Sequence, residues 1–438
     1  MSPSSDPSIP ARPVLPDETG IVVIGGGVVG VSAALLLAEW GVKVVLCEKG
    51  RVAAEQSSRN WGWIRKQGRN PAELPLMIEA QDLWRRVSDQ VDTDIGLKVG
   101  GVTYLAGTEA DSARHADWLE KVGAFQLDSR MLSAAETDAL LGQSERRFKS
   151  ALHTPSDCYA EPRLAVPAIA RRAADLGAVI AEGTAVRSVV REAGAVRGVV
   201  TEHGTIRCDG VILAGGVWSR PFLENIGLSL PQLAVKSSAL RTGPAPEISG
   251  STFGSSGASI RRRADGGYTI ARSGAARFDL VPAAFQHFAR FLPILKDRWR
   301  IIRLRAGRSF FGPLGRHRWQ PDETSPFETC RIFDPAPDHA LLQNVMASAR
   351  RIYPQLAEAQ PVETWGGMID VTPDEVPVID TVDALPGLVI ATGFSGHGFG
   401  LGPGGGLLAA QLATGRDPVV DPQAFRYSRF DRSREAAA

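Results

Sequence analysis

The feature that most constrains the fold of this chain is the glycine-rich turn GGGVVG at residues 25–30. It follows the β-branched run 21–24 and precedes an Ala/Leu-rich stretch, an order that predicts strand, tight turn and helix. The glycines allow the turn, bring backbone N–H groups close to a pyrophosphate and let the helix pack against the strand. A second strand over 43–47 ends on Glu48, where a carboxylate accepts hydrogen bonds from ribose hydroxyls. The pattern predicts a dinucleotide-binding βαβ unit.

A membrane span is the alternative for this region, because residues 21–38 carry no charge and are long enough to cross a bilayer. Three consecutive glycines and a β-branched start favour the strand, turn and helix instead. The first twenty residues, rich in Pro, Ser and Asp, are expected to form a disordered arm and not a signal peptide.

Composition narrows the class of protein. A chain of 438 residues exceeds one ordinary core and predicts two packed domains. A net charge of +1 gives no reason to expect nucleic acid as a partner, so a small molecule is expected. The cysteines form no CxxC pair, which argues against structural zinc and predicts no metal site and a cytoplasmic location with reduced thiols; they are Cys47, Cys158, Cys208 and Cys330.

A second glycine-rich loop identifies the dinucleotide more closely. Residues 393–406 follow the strand 388–392 and open an Ala/Leu-rich helix. A helix N-terminus at that point suits the pyrimidine edge of a flavin, which becomes negative on reduction. The later elements of the first sheet also return only after a long excursion, whereas a nicotinamide enzyme usually builds its second half directly. Both observations favour FAD over NAD.

Several motifs in order resemble the FAD-dependent D-amino acid oxidase superfamily, which includes glycine oxidase, sarcosine oxidase and D-amino acid dehydrogenase. They are the glycine turn with Glu48, the segment 57–60, the block 182–219, the motifs at 365–367 and 372–374, and GFSGHGFG at 393–400. The resemblance implies an α/β fold, with a Rossmann-like FAD-binding domain and a second, antiparallel-sheet α+β substrate domain. Expected boundaries are 18–100, 151–232 and 361–425 for the FAD domain, 101–150 and 233–360 for the substrate domain, and flexible tails at 1–17 and 426–438.

The glycine turn and the resemblance together imply a set of cofactor-binding residues. They are Gly25, Gly27, Val28, Val29, Gly30, Glu48, Lys49, Ser57, Ser58, Arg59, Asn60, Val186, Gly215, Trp218, Gly366, Gly367, Gly396, His397, Gly398 and Phe399. The chain departs from sarcosine oxidase at two points. It has no cysteine near Gly367, which implies non-covalent FAD, and it has Gly400 where those relatives carry a lysine.

The reaction implied by the resemblance is oxidation of the C–N bond of an amino acid or amine by hydride transfer to flavin N5, giving an imine that hydrolyses to a keto acid. Such a site must orient the substrate more than it needs a strong base. An arginine whose guanidinium donates two hydrogen bonds to the substrate carboxylate supplies that orientation. The candidates are Arg272, Arg305 and Arg65 for the carboxylate, Tyr268 and His397 for the amine or flavin, and Trp63 for a wall that excludes water. For Tyr268 and His397 a purely structural role is an equal alternative.

Two other functions fit the same sequence. A 2-hydroxy acid dehydrogenase on this fold would also use an arginine but would need a base. A flavin-binding subunit of a multi-subunit amine or opine dehydrogenase would need a partner chain. The electron acceptor is expected to be oxygen, a quinone or an electron-transfer partner, and peripheral contact with a membrane or a partner subunit is also considered.

Overall fold

The glycine turn joins a strand to a helix. The computed structural model describes residues 13–142, 148–298, 302–315 and 317–430. Strand β1 (Glu18–Ile24) leads through the turn into α1 (Val28–Glu39), and β2 (Val44–Cys47) returns parallel to β1. Gly25 has a φ of +112°, a conformation that a residue with a side chain rarely adopts. This is the predicted βαβ unit.

The membrane alternative for residues 21–38 is wrong, because this stretch is divided between β1, the turn and α1. Among the residues that the structure describes, no helix has the length and apolar character needed to cross a bilayer. β1 begins at Glu18, directly after the tail predicted at 1–17; residues 1–12 lie outside the described ranges.

The other strands are spread along the whole described chain. They are β3 (Trp63–Ile64), β4 (Lys98–Val99), β5 (Val102–Ala106), β6 (Arg130–Ser133), β7 (Ser150–Thr154), β8 (Cys158–Tyr159), β9 (Val179–Ala181), β10 (Val186–Glu192), β11 (Ala195–Thr201), β12 (Gly204–Leu213), β13 (Leu233–Thr242), β14 (Thr252–Gly254), β15 (Ser259–Arg262), β16 (Tyr268–Ala271), β17 (Ala276–Asp279), β18 (Ile302–Arg305), β19 (Pro361–Val371), β20 (Val378–Thr381) and β21 (Leu388–Thr392).

The other α-helices lie between these strands. They are α2 (Gln56–Arg59), α3 (Leu74–Gln90), α4 (Glu109–Lys121), α5 (Ala134–Leu141), α6 (Pro162–Asp175), α7 (Ser219–Asn225), α8 (Pro282–Gln286), α9 (Phe288–Arg298), α10 (Pro326–Thr329), α11 (His339–Ile352) and α12 (Gly398–Thr414).

Most of the described strands form two large sheets, which confirm the predicted fold class, while β3, β8 and β4 form a small third sheet. The first has eight strands in the order β10-β11-β12-β1-β2-β9, with β21 against β12 and β20 against β21. Its centre is parallel, as in a Rossmann-like sheet. The second has ten strands in the order β18-β17-β13-β16-β15-β14-β5-β7-β6, with β19 against β13. Most of its pairs are antiparallel, although β5 with β14 and β17 with β18 are parallel.

Three predicted boundaries differ from this arrangement. β19, expected in the first domain, pairs with β13 of the second sheet. Leu314, Trp319 and Phe327, expected in the substrate domain, pack into the core of the first sheet. Part of the expected C-terminal tail is ordered, because Arg429 forms an ion pair with Asp374. Residues 431–438 lie outside the described part of the chain.

Glycines allow α12 to pack closely against its neighbours. A Cβ atom at Gly402 would lie 2.6 Å from Val28, and one at Gly406 would lie 2.7 Å from the backbone N of Ala33, both on α1. On the α3 side, the Trp84 indole N–H donates to the Gly400 carbonyl over 3.0 Å. This packing fixes the N-terminus of α12 beside the glycine turn.

Candidate active site

One cavity of about 790 Å³ connects the glycine turn with residues of both sheets. Its volume is within the range of small-molecule and cofactor sites. One end is formed by the glycine turn, Glu48 and Trp218, and the other by aromatic and arginine side chains.

The glycine turn forms a cradle that side chains would fill. A Cβ at Gly25 would lie 2.5 Å from the Ala214 carbonyl oxygen, and one at Gly30 would lie 1.9 Å from the Gly25 carbonyl oxygen. Gly27 faces the cavity, and the Val28 N–H beside it donates to Ser57 Oγ over 2.9 Å. The positive end of α1 therefore points into the cavity, as an anion site requires.

Glu48 lies where the sequence predicts a ribose-binding carboxylate. Its Oε2 accepts from the Gly26 N–H and its Oε1 from the Gly50 N–H, each over 2.7 Å. Burial raises the pKa of this carboxyl above its usual range. The backbone donors orient the carboxylate at the edge of the cavity, where its remaining acceptor capacity suits hydroxyl groups.

Other predicted cofactor residues line the same end. Val186, Gly215 and Trp218 border the cavity. The Lys49 ammonium is 4.3 Å from the centre of the Trp218 ring and donates to Glu55 Oε1 over 2.7 Å. Lys49 therefore holds the Trp218 wall in place in addition to lining the cavity.

The segment at 57–60 passes alongside the middle of the cavity. Ser57, Arg59 and Asn60 line it, and the Arg59 guanidinium donates to the Phe333 carbonyl over 2.8 Å. Ser58 does not line the cavity, since its hydroxyl donates to the Glu55 carbonyl.

Two of the predicted glycines have a packing role instead of a lining role. Gly30 is needed for the contact between α1 and the turn, and a Cβ at Gly366 would lie 2.2 Å from the Pro335 carbonyl oxygen. Neither lines the cavity, nor does Ser58; the packing role of Gly30 is the one expected for the last glycine of the turn, whereas direct contact of Gly366 and Ser58 with the cofactor is corrected. Gly367, the next residue, does line it.

The start of α12 forms a further part of the cavity wall. Gly396, His397, Gly398 and Phe399 line the cavity there, as predicted for residues below a flavin ring. His397 Nδ1 lies 3.2 Å from Oε1 of Glu73, a fully buried carboxylate. Burial and then the neighbouring positive charge of Arg69 lower the pKa of His397 to about 4. The imidazole is therefore neutral near pH 7 and donates from Nδ1 to Glu73.

Aromatic rings form the far end of the cavity. The Trp61 and Trp63 rings meet edge to face at 5.6 Å, and Tyr104 lies 6.2 Å from Trp63. The Arg65 guanidinium stands 5.4 Å from the centre of the Tyr104 ring. Trp63 and Arg65, both predicted, thus lie together at one end of the site.

Sequence reasoning missed three residues at this end, namely Arg69, Tyr104 and His115. Among the described residues, Arg69 Nη1, His115 Nδ1 and Trp63 Nε1 are buried atoms without a hydrogen-bond partner. Buried polar groups are normally paired, so unpaired ones lining a cavity indicate a polar ligand. In the sequence, only the spacing of Arg65 and Arg69 within one loop could have indicated Arg69.

The structure separates the predicted substrate residues into two groups. Trp63, Arg65, His397 and the exposed Arg272 line the cavity. Tyr268 does not, because β16 directs it into the core of the second sheet. There its hydroxyl accepts from the Ile248 N–H and donates to the Pro246 carbonyl.

Arg305 also lies outside the main cavity. It is exposed on β18, the edge strand of the second sheet, and borders a separate hollow with Arg277 and Asp279. The predictions for Tyr268 and Arg305 are therefore corrected.

Comparison with known proteins accounts for this geometry. The family described as DAO, FAD dependent oxidoreductase, matches residues 20–412. The chain belongs to this family. The FAD-dependent oxidoreductase is 26% identical to glycine oxidase of Pseudomonas aeruginosa over 416 residues, 92% of this chain and 97% of that protein.

Solved structures show the same fold. The L-amino acid deaminase from Proteus myxofaciens, in complex with anthranilate, matches with a TM-score of 0.90 and 31% identity, over 97% of this chain and 96% of that one. The L-amino acid deaminase from Proteus vulgaris matches with a TM-score of 0.90 and 29% identity, over 96% of this chain and 99% of that one.

The residues present in this FAD-dependent oxidoreductase fit the cofactor. The glycine cradle and the N-terminus of α1 suit the pyrophosphate, and Glu48 suits the ribose. The N-terminus of α12 suits the pyrimidine edge of the flavin. The predicted cofactor, FAD, is therefore confirmed.

Replacing Glu48 by alanine tests the ribose contact. We expect the dissociation constant for FAD to rise about 10- to 100-fold, the usual effect of losing hydrogen bonds to a charged group. Titration of the apoprotein with FAD, followed by quenching of flavin fluorescence, measures it. Glu109→Ala, at an exposed carboxylate on α4, is the matched control. Equal dissociation constants in the two variants would contradict this role for Glu48.

Proposed function

We propose that the protein oxidises the C–N bond of an L-α-amino acid with a free amine, giving an imine that water hydrolyses to a keto acid and ammonia. Bound, non-covalent FAD supplies the hydride acceptor, N5. The carbon α to nitrogen loses hydride while the nitrogen lone pair forms the C=N bond. The chain's own residues bind the carboxylate, orient the amine and exclude water.

The observation that carries this proposal is the arginine and aromatic end of the cavity. Arg65 and Arg69 bring positive charge there, which suits a carboxylate. Trp61, Trp63 and Tyr104 suit an apolar side chain and keep water out of the site. Similarity to the Proteus L-amino acid deaminases, at 31% and 29% identity over nearly the whole of both chains, supports the L configuration.

The two histidines of the cavity support a site without a strong base. Burial lowers the pKa of both His397 and His115. With His397 Nδ1 donating to Glu73, its Nε2 is left as a hydrogen-bond acceptor. We propose that this nitrogen orients the neutral amine of the substrate. A 2-hydroxy acid would instead need a group able to remove a hydroxyl proton.

Anaerobic reduction of the purified flavoprotein tests the proposal. We expect L-amino acids to bleach the flavin absorbance, while D-amino acids, N-methyl amino acids and 2-hydroxy acids leave it unchanged. Bleaching by 2-hydroxy acids, or by no amine until a partner chain is added, would contradict the proposal.

Denaturation should release all flavin into the supernatant, because Cys47, the cysteine that lines the cavity, has its pKa raised to about 12 by burial and is a poor nucleophile.

An exposed apolar patch supports contact with a membrane carrying a quinone. Phe285, Phe288, Leu304 and Phe311 are 65%, 55%, 61% and 84% exposed. Patches of this kind mark interaction surfaces. We propose that, once the flavin has been reduced in the experiment above, a quinone in anionic lipid vesicles reoxidises it faster than air does. Faster reoxidation by air would identify oxygen as the acceptor.

A further inference from the structure

Arg69 is the one residue of the cavity whose charge is both deeply buried and left with an unused donor. Its side chain is 3% exposed. In the part of the chain that the structure describes, its Nη1 has no hydrogen-bond partner. A buried guanidinium costs several kcal/mol unless it is paired, so such an atom in a cavity wall indicates an anionic ligand.

The position of Arg69 is fixed by its surroundings. Its Nε donates to the Arg65 carbonyl over 3.1 Å, and its own carbonyl accepts from the Trp118 indole N–H over 2.8 Å. Gly68 allows the loop to bend with a φ of +68°, and a Cβ there would lie 3.0 Å from the Tyr104 ring. The guanidinium is therefore held in place before any ligand binds, which lowers the entropic cost of binding.

Arg69 also lies beside the start of α12. A Cβ built on Gly400 would lie 3.5 Å from Arg69 Nη2. The guanidinium therefore reaches the first turn of α12, next to His397. The positive end of that helix and the arginine thus act on the same space.

Two nearby carboxylates, Glu73 and Asp157, act electrostatically on Arg69 but leave its Nη1 without a hydrogen-bond partner in the described part of the chain. Glu73 uses Oε1 for His397, and its other oxygen has no partner among the described residues. Asp157 accepts from the Lys66 and Gln67 N–H groups, and burial raises its pKa to about 6. Neither is placed to neutralise both arginines of the 65–69 loop. Burial, and then the charge of Arg65, lower the pKa of Arg69 to about 9, which still leaves it protonated at neutral pH.

We propose that Arg69 is the residue that binds the substrate carboxylate, with Nη1 as a donor. This inference rests on the proposed function, since it assumes an amino acid substrate. Arg65 is the weaker candidate because its Nη1 already donates to the Gln67 carbonyl and its guanidinium faces Tyr104. Arg272 is exposed and Arg305 lies outside the cavity. Carboxylate recognition therefore comes from the loop before α3 and not from the second sheet.

Titration with anthranilate, an aromatic carboxylate, tests this assignment by perturbation of the visible flavin spectrum. We expect Arg69→Gln to raise the dissociation constant for anthranilate about 10- to 100-fold. Arg69→Lys should raise it less, because lysine keeps the positive charge but cannot donate two parallel hydrogen bonds to a carboxylate. FAD content should stay unchanged in both variants. Arg86→Gln, which removes an exposed arginine paired with Glu39, is the matched control and should bind anthranilate normally.

Three outcomes overturn the inference. A dissociation constant for anthranilate unchanged in Arg69→Gln shows that Arg69 does not bind the carboxylate. A shifted midpoint potential with unchanged anthranilate binding shows that Arg69 acts on the flavin. If Arg69→Gln does not fold, an unchanged dissociation constant for anthranilate in Arg69→Lys likewise shows that Arg69 does not bind the carboxylate. Failure of the proposed function is distinct, because the unsubstituted protein itself would then not be reduced by amino acids.

Discussion

Replacing Gly30 by alanine is expected to abolish FAD binding and to lower the free energy of unfolding by about 3 kcal/mol or more. The added Cβ would lie 1.9 Å from the Gly25 carbonyl oxygen, so α1 must move away from the turn. Overpacking of this kind usually costs about 1–3 kcal/mol and more where backbone is the obstacle. The 450 nm absorbance of the purified protein and its urea denaturation midpoint measure the two effects.

Substitutions at two other glycines separate the loss of FAD binding from the loss of stability. Gly27→Ala brings a Cβ 3.2 Å from Ser57 Oγ only, so this variant should fold normally and lose FAD affinity because the methyl group enters the pyrophosphate site. Gly123→Ala meets no atom within 4 Å and should change neither. Full flavin content in Gly30→Ala, with an unchanged midpoint, would show that the close contact has no energetic role.

Arg261→Met is expected to lower the free energy of unfolding by about 3–5 kcal/mol, the usual cost of leaving a buried charge unpaired. The Arg261 guanidinium is 1% exposed and donates to both oxygens of Glu161 over 2.8 and 3.1 Å. It also donates to the Trp61 carbonyl over 2.5 Å. The substitution therefore leaves the buried Glu161 with only the Ala264 N–H and Arg263, 3.7 Å away, and loosens the tryptophan loop. Chemical denaturation measures the loss.

An exposed pair is the matched control. Arg163 pairs with Glu363 over 2.6 Å, with 45% and 31% of the two side chains exposed. Because exposed ion pairs contribute roughly 0–1 kcal/mol, Arg163→Met should change stability little. Equal denaturation midpoints for the two variants would mean that the buried pair is not a source of stability.

The local part of this structure could be predicted from the sequence. The glycine turn, Glu48 and the strand 388–392 were all placed correctly, because each depends on spacing within a few residues. The assignment of longer segments to domains was less accurate, because β19, expected in the first domain, pairs with β13 of the second sheet.

The substrate end could not be predicted because it depends on contacts between distant segments. The strand that carries Tyr268 was expected, but the face it buries is set by β13 and β15 on either side. The prediction for Arg305 failed because pairing of β18 with β17 places it at an edge. Arg69 looks like any surface arginine in the sequence, and only the fold brings its guanidinium beside Gly400, 331 residues later.

The order of strands in the first sheet affects how the protein is made. β1 pairs with β12, and β12 pairs with β21, which comes near the end of the described chain. During synthesis the glycine turn leaves the ribosome long before the loop at 393–400 that completes the cavity. Until then the apolar edge of β12 has no partner, and such edges promote aggregation. FAD can therefore meet its complete site only after residues 393–400 have been translated.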